Sequence, residues 1–239
     1  MQKVLSTMRK AIEKYNLISN GDKIAIGVSG GKDSMVLLKA MSNFKKFNLY
    51  NFDIVAVVVD IYSGDMDYSE LINFCKENNI ELHIEKTDIK QIVFDIRKEK
   101  NPCSLCAKLR RGILNSICQN LNCNKLALGH HLQDVITTFF MSLFYEGRLS
   151  TMLPITYMSN SKITLIRPLY LTEEHKIINA SKSLPIIKSK CPADKDSKRK
   201  EIKDFIDSIY KQNPDIKKRI EKAILTPENY NLLNLIQKN

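Results

Sequence analysis

Apolar positions along the chain fall into two alternating patterns. Short continuous runs, rich in β-branched residues, occur at Lys23–Val28, Ile54–Asp60, Glu81–Glu85, Lys125–Leu128 and Ile163–Arg167. Stretches with helical spacing separate them, at Asp33–Phe47, Tyr68–Asn79, Ala107–Leu121 and Gln133–Tyr145. The run Ile54–Val59, IVAVVV, has no polar position on either face and predicts a strand buried on both sides. Strands that alternate with helices predict an α/β fold with a parallel sheet and right-handed crossovers. Residues 1–20 read as an amphipathic, basic leading helix closed by Asn20-Gly21-Asp22. From about Leu184 the chain turns basic and helical, with helices expected over Ser197–Lys211 and Pro214–Ile224. The expected organisation is a leading helix over 1–20, an α/β domain over 21–185 and a basic helical segment over 186–239. No internal repeat, low-complexity tract or long linker interrupts it.

Ligands of parallel sheets bind at the carboxyl ends of the strands. Chemistry-bearing residues fall at those ends here. Ser29–Lys32 follows the first strand, Asp60 ends the second, and Gly129-His130-His131 follows the fourth. The run Ser29-Gly30-Gly31-Lys32-Asp33-Ser34 joins an apolar strand to a helix N-terminus. Glycines let backbone N–H groups approach a ligand closely, and the helix dipole favours negative charge. Lys32 adds a full positive charge, and Ser29 and Ser34 add hydroxyl donors. The expected ligand is a phosphate or pyrophosphate. A G-x-x-x-x-G-K-[ST] loop is excluded, because Lys32 is followed by Asp33 and position 26 is Ile26. A G-x-G-x-x-G dinucleotide loop is absent near this strand. The run S-G-G-K-D-S instead resembles the PP-loop of the N-type ATP pyrophosphatases. That resemblance implies ATP cleaved between its α and β phosphates and a carbonyl activated by AMP.

Composition narrows the setting. The net charge of +11 fits a polyanionic partner, RNA being the obvious candidate. Arg97, Lys98, Lys100, Lys108, Arg110 and Arg111 crowd around one cysteine pair, and a second basic cluster lies in the last fifty residues. Lysine-rich helices in a chain biased to Lys, Asn and Ile would also produce such a surplus. The longest apolar run, Ile54–Val59, is far too short for a membrane span, and the N-terminus lacks an apolar signal core. A cytoplasmic protein without a membrane partner is expected. Six cysteines in that compartment point to metal, cluster or catalytic use before disulfides.

Cys103 and Cys106 form a C-x-x-C at the start of a helix, and Cys191 stands alone in KCPADK. Cys75, Cys118 and Cys123 read as small buried hydrophobes. The pair admits three readings: a redox dithiol, a zinc site aided by His130 or His131, or an iron–sulfur cluster with Cys191 as third ligand. Spacing does not choose among them.

Taken together, the motifs resemble the tRNA 2-thiocytidine synthetase family. They are NGDKIAIGVSGGKDS, NPCSLCAKLRRG, LALGHH, FYEGRLSTMLP, IRPL and KCPADKDSKR, spanning about Val4 to Lys211. The resemblance implies an adenine nucleotide alpha hydrolase-like fold with flanking N- and C-terminal helices. It implies ATP and Mg²⁺, and a [4Fe-4S] cluster that by motif would sit on Cys103, Cys106 and Cys191. It implies sulfur from a cysteine desulfurase or free sulfide, an anticodon-loop cytidine of tRNA as substrate, and it admits a homodimer. Under this reading Lys32, Asp33 and Asp134 are the catalytic candidates. Ser29, Gly30, Gly31, Lys32, Asp33, Ser34, Asp60 and His130 are the nucleotide-site candidates, and Arg110 and Arg111 meet RNA. The chain departs from the family where x-D-D-x-x-E-T is usual after G-H-H. Gln133 replaces the first carboxylate and Thr137 the glutamate, leaving Asp134. The alternatives are a related PP-loop enzyme thiolating another base or substrate, and a non-catalytic RNA-binding iron–sulfur protein.

Overall fold

The computed structural model describes residues 1–98, 102–187 and 198–226. Its elements, in chain order, are α1 (Gln2–Tyr15), β1 (Asp22–Gly27), α2 (Lys32–Lys45), β2 (Phe52–Asp60), α3 (Ser69–Glu77), β3 (Glu81–Lys86), a π-helical turn (Gln91–Ile96), α4 (Pro102–Asn120), β4 (Lys125–Ala127), α5 (Leu132–Glu146), β5 (Ile155–Met158), β6 (Ile163–Ile166), α6 (Glu174–Ser181), α7 (Lys198–Gln212) and α8 (Pro214–Leu225). The chain divides into two compact units. One comprises residues 1–132 and 153–193; the other comprises residues 133–152 and 194–239.

The first unit holds a six-stranded sheet in the order β3-β2-β1-β4-β6-β5. All neighbours pair in parallel except β5, which runs antiparallel to β6 at one edge. Every expected strand is present. The edge strand β5 and the short helix α6 are additions to the expected pattern. Residues 184–187 are not helical, so the described C-terminal helices begin only at Lys198.

Period-two side-chain alternation sorts the apolar strand residues onto two cores. Ile24, Ile26, Ala56 and Val58 enter one core, which α1, α2, α3 and α6 cover. Ala25, Val55, Val57 and Val59 enter the other, against α4. The α2 residues Met35, Val36, Leu37, Leu38, Ala40 and Met41 are buried all round, as suits a helix enclosed between a sheet and other helices. In α1 the buried positions Val4, Met8, Ala11 and Ile12 form one stripe, and Asn16 ends the helix in a left-handed conformation (φ 50°). On α4 a stripe of Leu105, Cys106, Leu109, Ile113, Leu114 and Ile117 seats the helix on the sheet.

The order of strands places β1 at the point where connections reverse direction: β2 lies on one side and β4 on the other. That is where parallel sheets open a crevice at their carboxyl ends. Register aligns Ile26 with Ala56 and Ala127, so the loops after β1, β2 and β4 emerge side by side.

In the second unit, Phe144 meets Phe140 at a tilt and Phe205 edge-on, each with centroids 5.6 Å apart, and Lys198 lies 4.7 Å above the Tyr145 ring. No helix among the described residues is long and apolar enough to cross a membrane.

Candidate active site

The loop after β1 is built to leave donors open. Gly31 is the N-cap of α2 in an extended conformation, with no side chain capping the helix. The first amides of α2 therefore lack the side-chain acceptor that a Ser or Asp cap would supply. The two serines brace the loop. Ser34 Oγ donates to the Gly31 carbonyl (2.9 Å) and accepts from the Ser29 amide (3.1 Å), and the two hydroxyls lie 3.2 Å apart. Gly31 N–H reaches Ser29 Oγ only at 3.4 Å, a long contact.

Lys32 Nζ donates to Asp33 Oδ1 (2.8 Å) and lies 3.3 Å from Glu174 Oε1. Burial pulls the Lys32 ammonium towards the neutral form. The hydrogen bond and charge of Asp33, and then Glu174, outweigh it and raise its pKa. Lys32 is thus a fixed cation at neutral pH. His131 is buried, with Nε2 3.5 Å from Asp33 Oδ1. The structure therefore gathers Lys32, Asp33, His131 and Glu174. Glu174 was not among the expected site residues, and of the strand-end pair His130 and His131 only His130 was assigned to the nucleotide site. His131 was visible in the G-H-H run, whereas Glu174 carries no local signal.

Gly129 explains how the β4 loop comes so close. A Cβ on it would stand 2.9 Å from the Asp33 carbonyl carbon and 3.0 Å from the Ser34 nitrogen. Only a glycine lets this loop approach the first turn of α2.

Asp60 is 1% exposed, and its carboxylate accepts from the amides of Tyr62 (2.8 Å) and Gly64 (3.0 Å). It shapes the loop after β2. Burial, and then the charge of Asp60, push the Tyr68 phenol up to about 12, while the charge of Arg110 opposes them. Arg110 thus faces the same loop and is half-buried; Arg111 is exposed.

Cys103 is exposed on the first turn of α4, and Cys106 follows one turn later, half-buried. Residues three apart share a helix face, so both thiols serve one side of α4. Cys191 lies outside the described residues. Cys75, Cys118 and Cys123 are buried, as expected, and burial raises their pKa values, to about 11 for Cys75 and about 12 for Cys118. Such thiols stay protonated and inert. Among the described residues no three His, Cys, Asp or Glu side chains gather as a metal cage.

Asp134 belongs to the second unit, near the start of α5. Its Oδ1 accepts from Arg199 of α7 at 2.7 Å. Arg199 is a further residue that motif reading did not single out. Thr137, at the position of the missing glutamate, is 2% exposed.

Comparison with known proteins identifies the family. The family model described as a PP-loop domain matches residues 2–205. The chain is similar to a tRNA-cytidine(32) 2-sulfurtransferase of Geotalea uraniireducens, with 36% identity over 93% of this chain and 90% of the relative. It is similar to tRNA-cytidine(32) 2-sulfurtransferase 1 of Francisella tularensis subsp. tularensis, with 37% identity over 93% of this chain and 85% of the relative. Among solved structures it is similar to the U34-tRNA thiolase NcsA of Methanococcus maripaludis, determined with its [4Fe-4S] cluster. That match has 27% identity and a TM-score of 0.73, over 95% of this chain and 80% of the other.

Proposed function

The chain belongs to the PP-loop family of the tRNA-cytidine(32) 2-sulfurtransferases and is an enzyme of ATP-dependent tRNA thiolation, and we propose that it replaces the C2 oxygen of an anticodon-loop cytidine with sulfur. The observation that carries this reading is the uncapped α2 N-terminus, with Lys32 held beside it as a fixed cation.

In this mechanism the Gly31 amide and the first amides of α2 hold the β and γ phosphates of ATP. The target base leaves its stack, which an anticodon loop permits at small cost. The cytosine C2 oxygen attacks the α phosphorus. The new O–P bond forms as the bond to the β-phosphate oxygen breaks, and pyrophosphate leaves. Lys32 neutralises charge that grows on that leaving group, a preorganised electrostatic contribution of about 10²–10³ in rate. Sulfide then adds at C2, and AMP departs with the former C2 oxygen. Asp33 holds Lys32 towards the phosphates, and His131 holds Asp33 in turn. His130, next in the same loop, contacts the nucleotide.

The residues present suit the implied groups. Mg²⁺ binds through substrate phosphates and one or two carboxylates, so it needs no cage of protein ligands. Asp33, within the phosphate loop itself, is the carboxylate at hand. Cys103 offers an exposed thiol and Cys106 a half-buried one, three residues apart on α4, and Cys191 is the third ligand by motif. A [4Fe-4S] cluster held by these thiols would supply the sulfur-carrying chemistry of the thiolation step. Asp134 serves as a carboxylate only when its Arg199 pair opens or shares it. Arg110, Arg111 and the basic segment 186–239 meet the tRNA backbone. The sulfur donor is a cysteine desulfurase or free sulfide, the chain works as a cytoplasmic protein, and a homodimer is compatible with this chemistry.

A uridine target is the alternative, favoured by the structural likeness to a U34-tRNA thiolase. Anaerobic reconstitution with iron, sulfide, Mg-ATP and bulk tRNA tests the reading. AMP and pyrophosphate released in step with new 2-thiocytidine are expected. New 2-thiouridine would move the target. Nucleotide release without any thionucleoside, or none at all, would overturn it.

A further inference from the structure

Gly30 is buried, although it lies between exposed Ser29 and half-exposed Gly31 in the phosphate loop. What covers it is Ile187, more than 150 residues away in sequence. The Ile187 amide donates to the Gly30 carbonyl at 2.9 Å. A Cβ on Gly30 would lie 2.7 Å from the Ile187 Cβ, and Gly30 has φ +82°. Leu184 and Ile187 both pack against the larger core, which anchors the segment after α6 across the loop.

We propose that Ile187 is a positioning residue for the phosphate loop, acting through its backbone amide. The physical link is peptide planarity. In a trans peptide the carbonyl of one residue and the N–H of the next point to opposite sides. The Gly30–Gly31 peptide joins two glycines and so flips with little steric resistance. The hydrogen bond from Ile187 fixes the Gly30 carbonyl towards the Ile187 segment. It thereby fixes the Gly31 N–H on the opposite side, where its nearest acceptor is Ser29 Oγ at a long 3.4 Å. A weakly engaged donor held in one orientation is what an arriving phosphate oxygen needs. The Ile187 side chain, lying on the bare Cα of Gly30, closes the same peptide from above. This role deepens the reading of the loop as an ATP site and rests on it.

The experiment compares Mg-ATP and inorganic pyrophosphate binding, by calorimetry, for the full chain and three variants. Ile187→Val keeps the amide. Ile187→Pro removes it, and replacing the Ile187 amide with an ester removes only the N–H. Wild type and Ile187→Val are expected to bind alike, and the Pro and ester variants about tenfold more weakly. Amide exchange at Gly31 should slow on adding ATP in wild type and Ile187→Val, and not in the ester variant. The ester variant decides the matter where the proline variant fails to fold. Equal binding by wild type and ester, or equal weakening in Ile187→Val and ester, overturns the proposal. A wild-type chain that binds neither ATP nor pyrophosphate overturns the ATP reading itself, and this role with it.

Discussion

The two ends of β1 and β4 treat polar groups in opposite ways. At the amino end, Asp22 and Lys125 form a buried ion pair of 2.7 Å. Asp22 also accepts from the Ser19 amide and the Asn124 side chain, and Lys125 donates to the Leu17 carbonyl. Charge and donor are matched within the protein, so this end holds the strands in register. At the carboxyl end, the α2 amides have no capping side chain, and Lys32 is shared between two half-exposed carboxylates. There the α2 amides find an acceptor only when an anion arrives. The thiols follow the same division. Cys118 and Cys123 are buried beside the start of β4, while Cys103 and Cys106 open α4 some 18–22 Å away along the helix. One end is assembled for stability and the other for a ligand.

The comparison can be broken most sharply at the amino end. Lys125→Ala or Asp22→Ala leaves an uncompensated buried charge, and about 3–5 kcal/mol of stability should be lost, as read from denaturant midpoints. Activity per folded molecule should hold. Lys32→Ala should do the reverse. Nucleotide turnover should fall about 10²–10³-fold, while stability stays within about 0.5 kcal/mol of the parent. A matching loss of stability in Lys32→Ala would erase the distinction between the two ends. Gly129→Ala sits between these cases, because its methyl meets backbone atoms of Asp33 and Ser34. About 1–3 kcal/mol of stability should go, and ATP binding should weaken with it.

Alkylation of the cluster-free protein near pH 7.5, read by peptide mass spectrometry, sharpens the contrast among thiols. Cys103 should be modified and Cys118 spared, because raising a thiol pKa to about 12 leaves little thiolate at that pH. The smallest effect belongs to Glu174→Gln. The raised pKa of Lys32 favours its charged form when folded. That contribution is full below the ordinary value of 10.5 and is lost as pH rises through the folded value. Removing Glu174 should bring the alkaline loss of ATP binding to lower pH by less than about 0.7 unit, since both side chains are partly exposed.

Legibility in the sequence follows the same physics. β-branched runs such as Ile54–Val59 announce strands because burial on both faces leaves a continuous apolar signal. The loop Ser29–Ser34 is legible because its ligand is held by consecutive backbone groups. β5 escapes notice because it is four residues long, partly exposed and antiparallel at an edge. Glu174 and Ile187 escape notice because they meet the loop across more than 140 residues of chain, and no local spacing encodes such contacts. Arg199 escapes as a partner of Asp134 for the same reason, 65 residues on.

The central claim is that the phosphate loop drives thiolation of a tRNA cytidine. Mass spectrometry of nucleosides from bulk tRNA, in cells with and without the gene, tests it most directly. The account predicts that 2-thiocytidine disappears on deletion and returns with the intact gene but not with Lys32→Ala. A 2-thiocytidine level unchanged by deletion, or restored by Lys32→Ala, would contradict it.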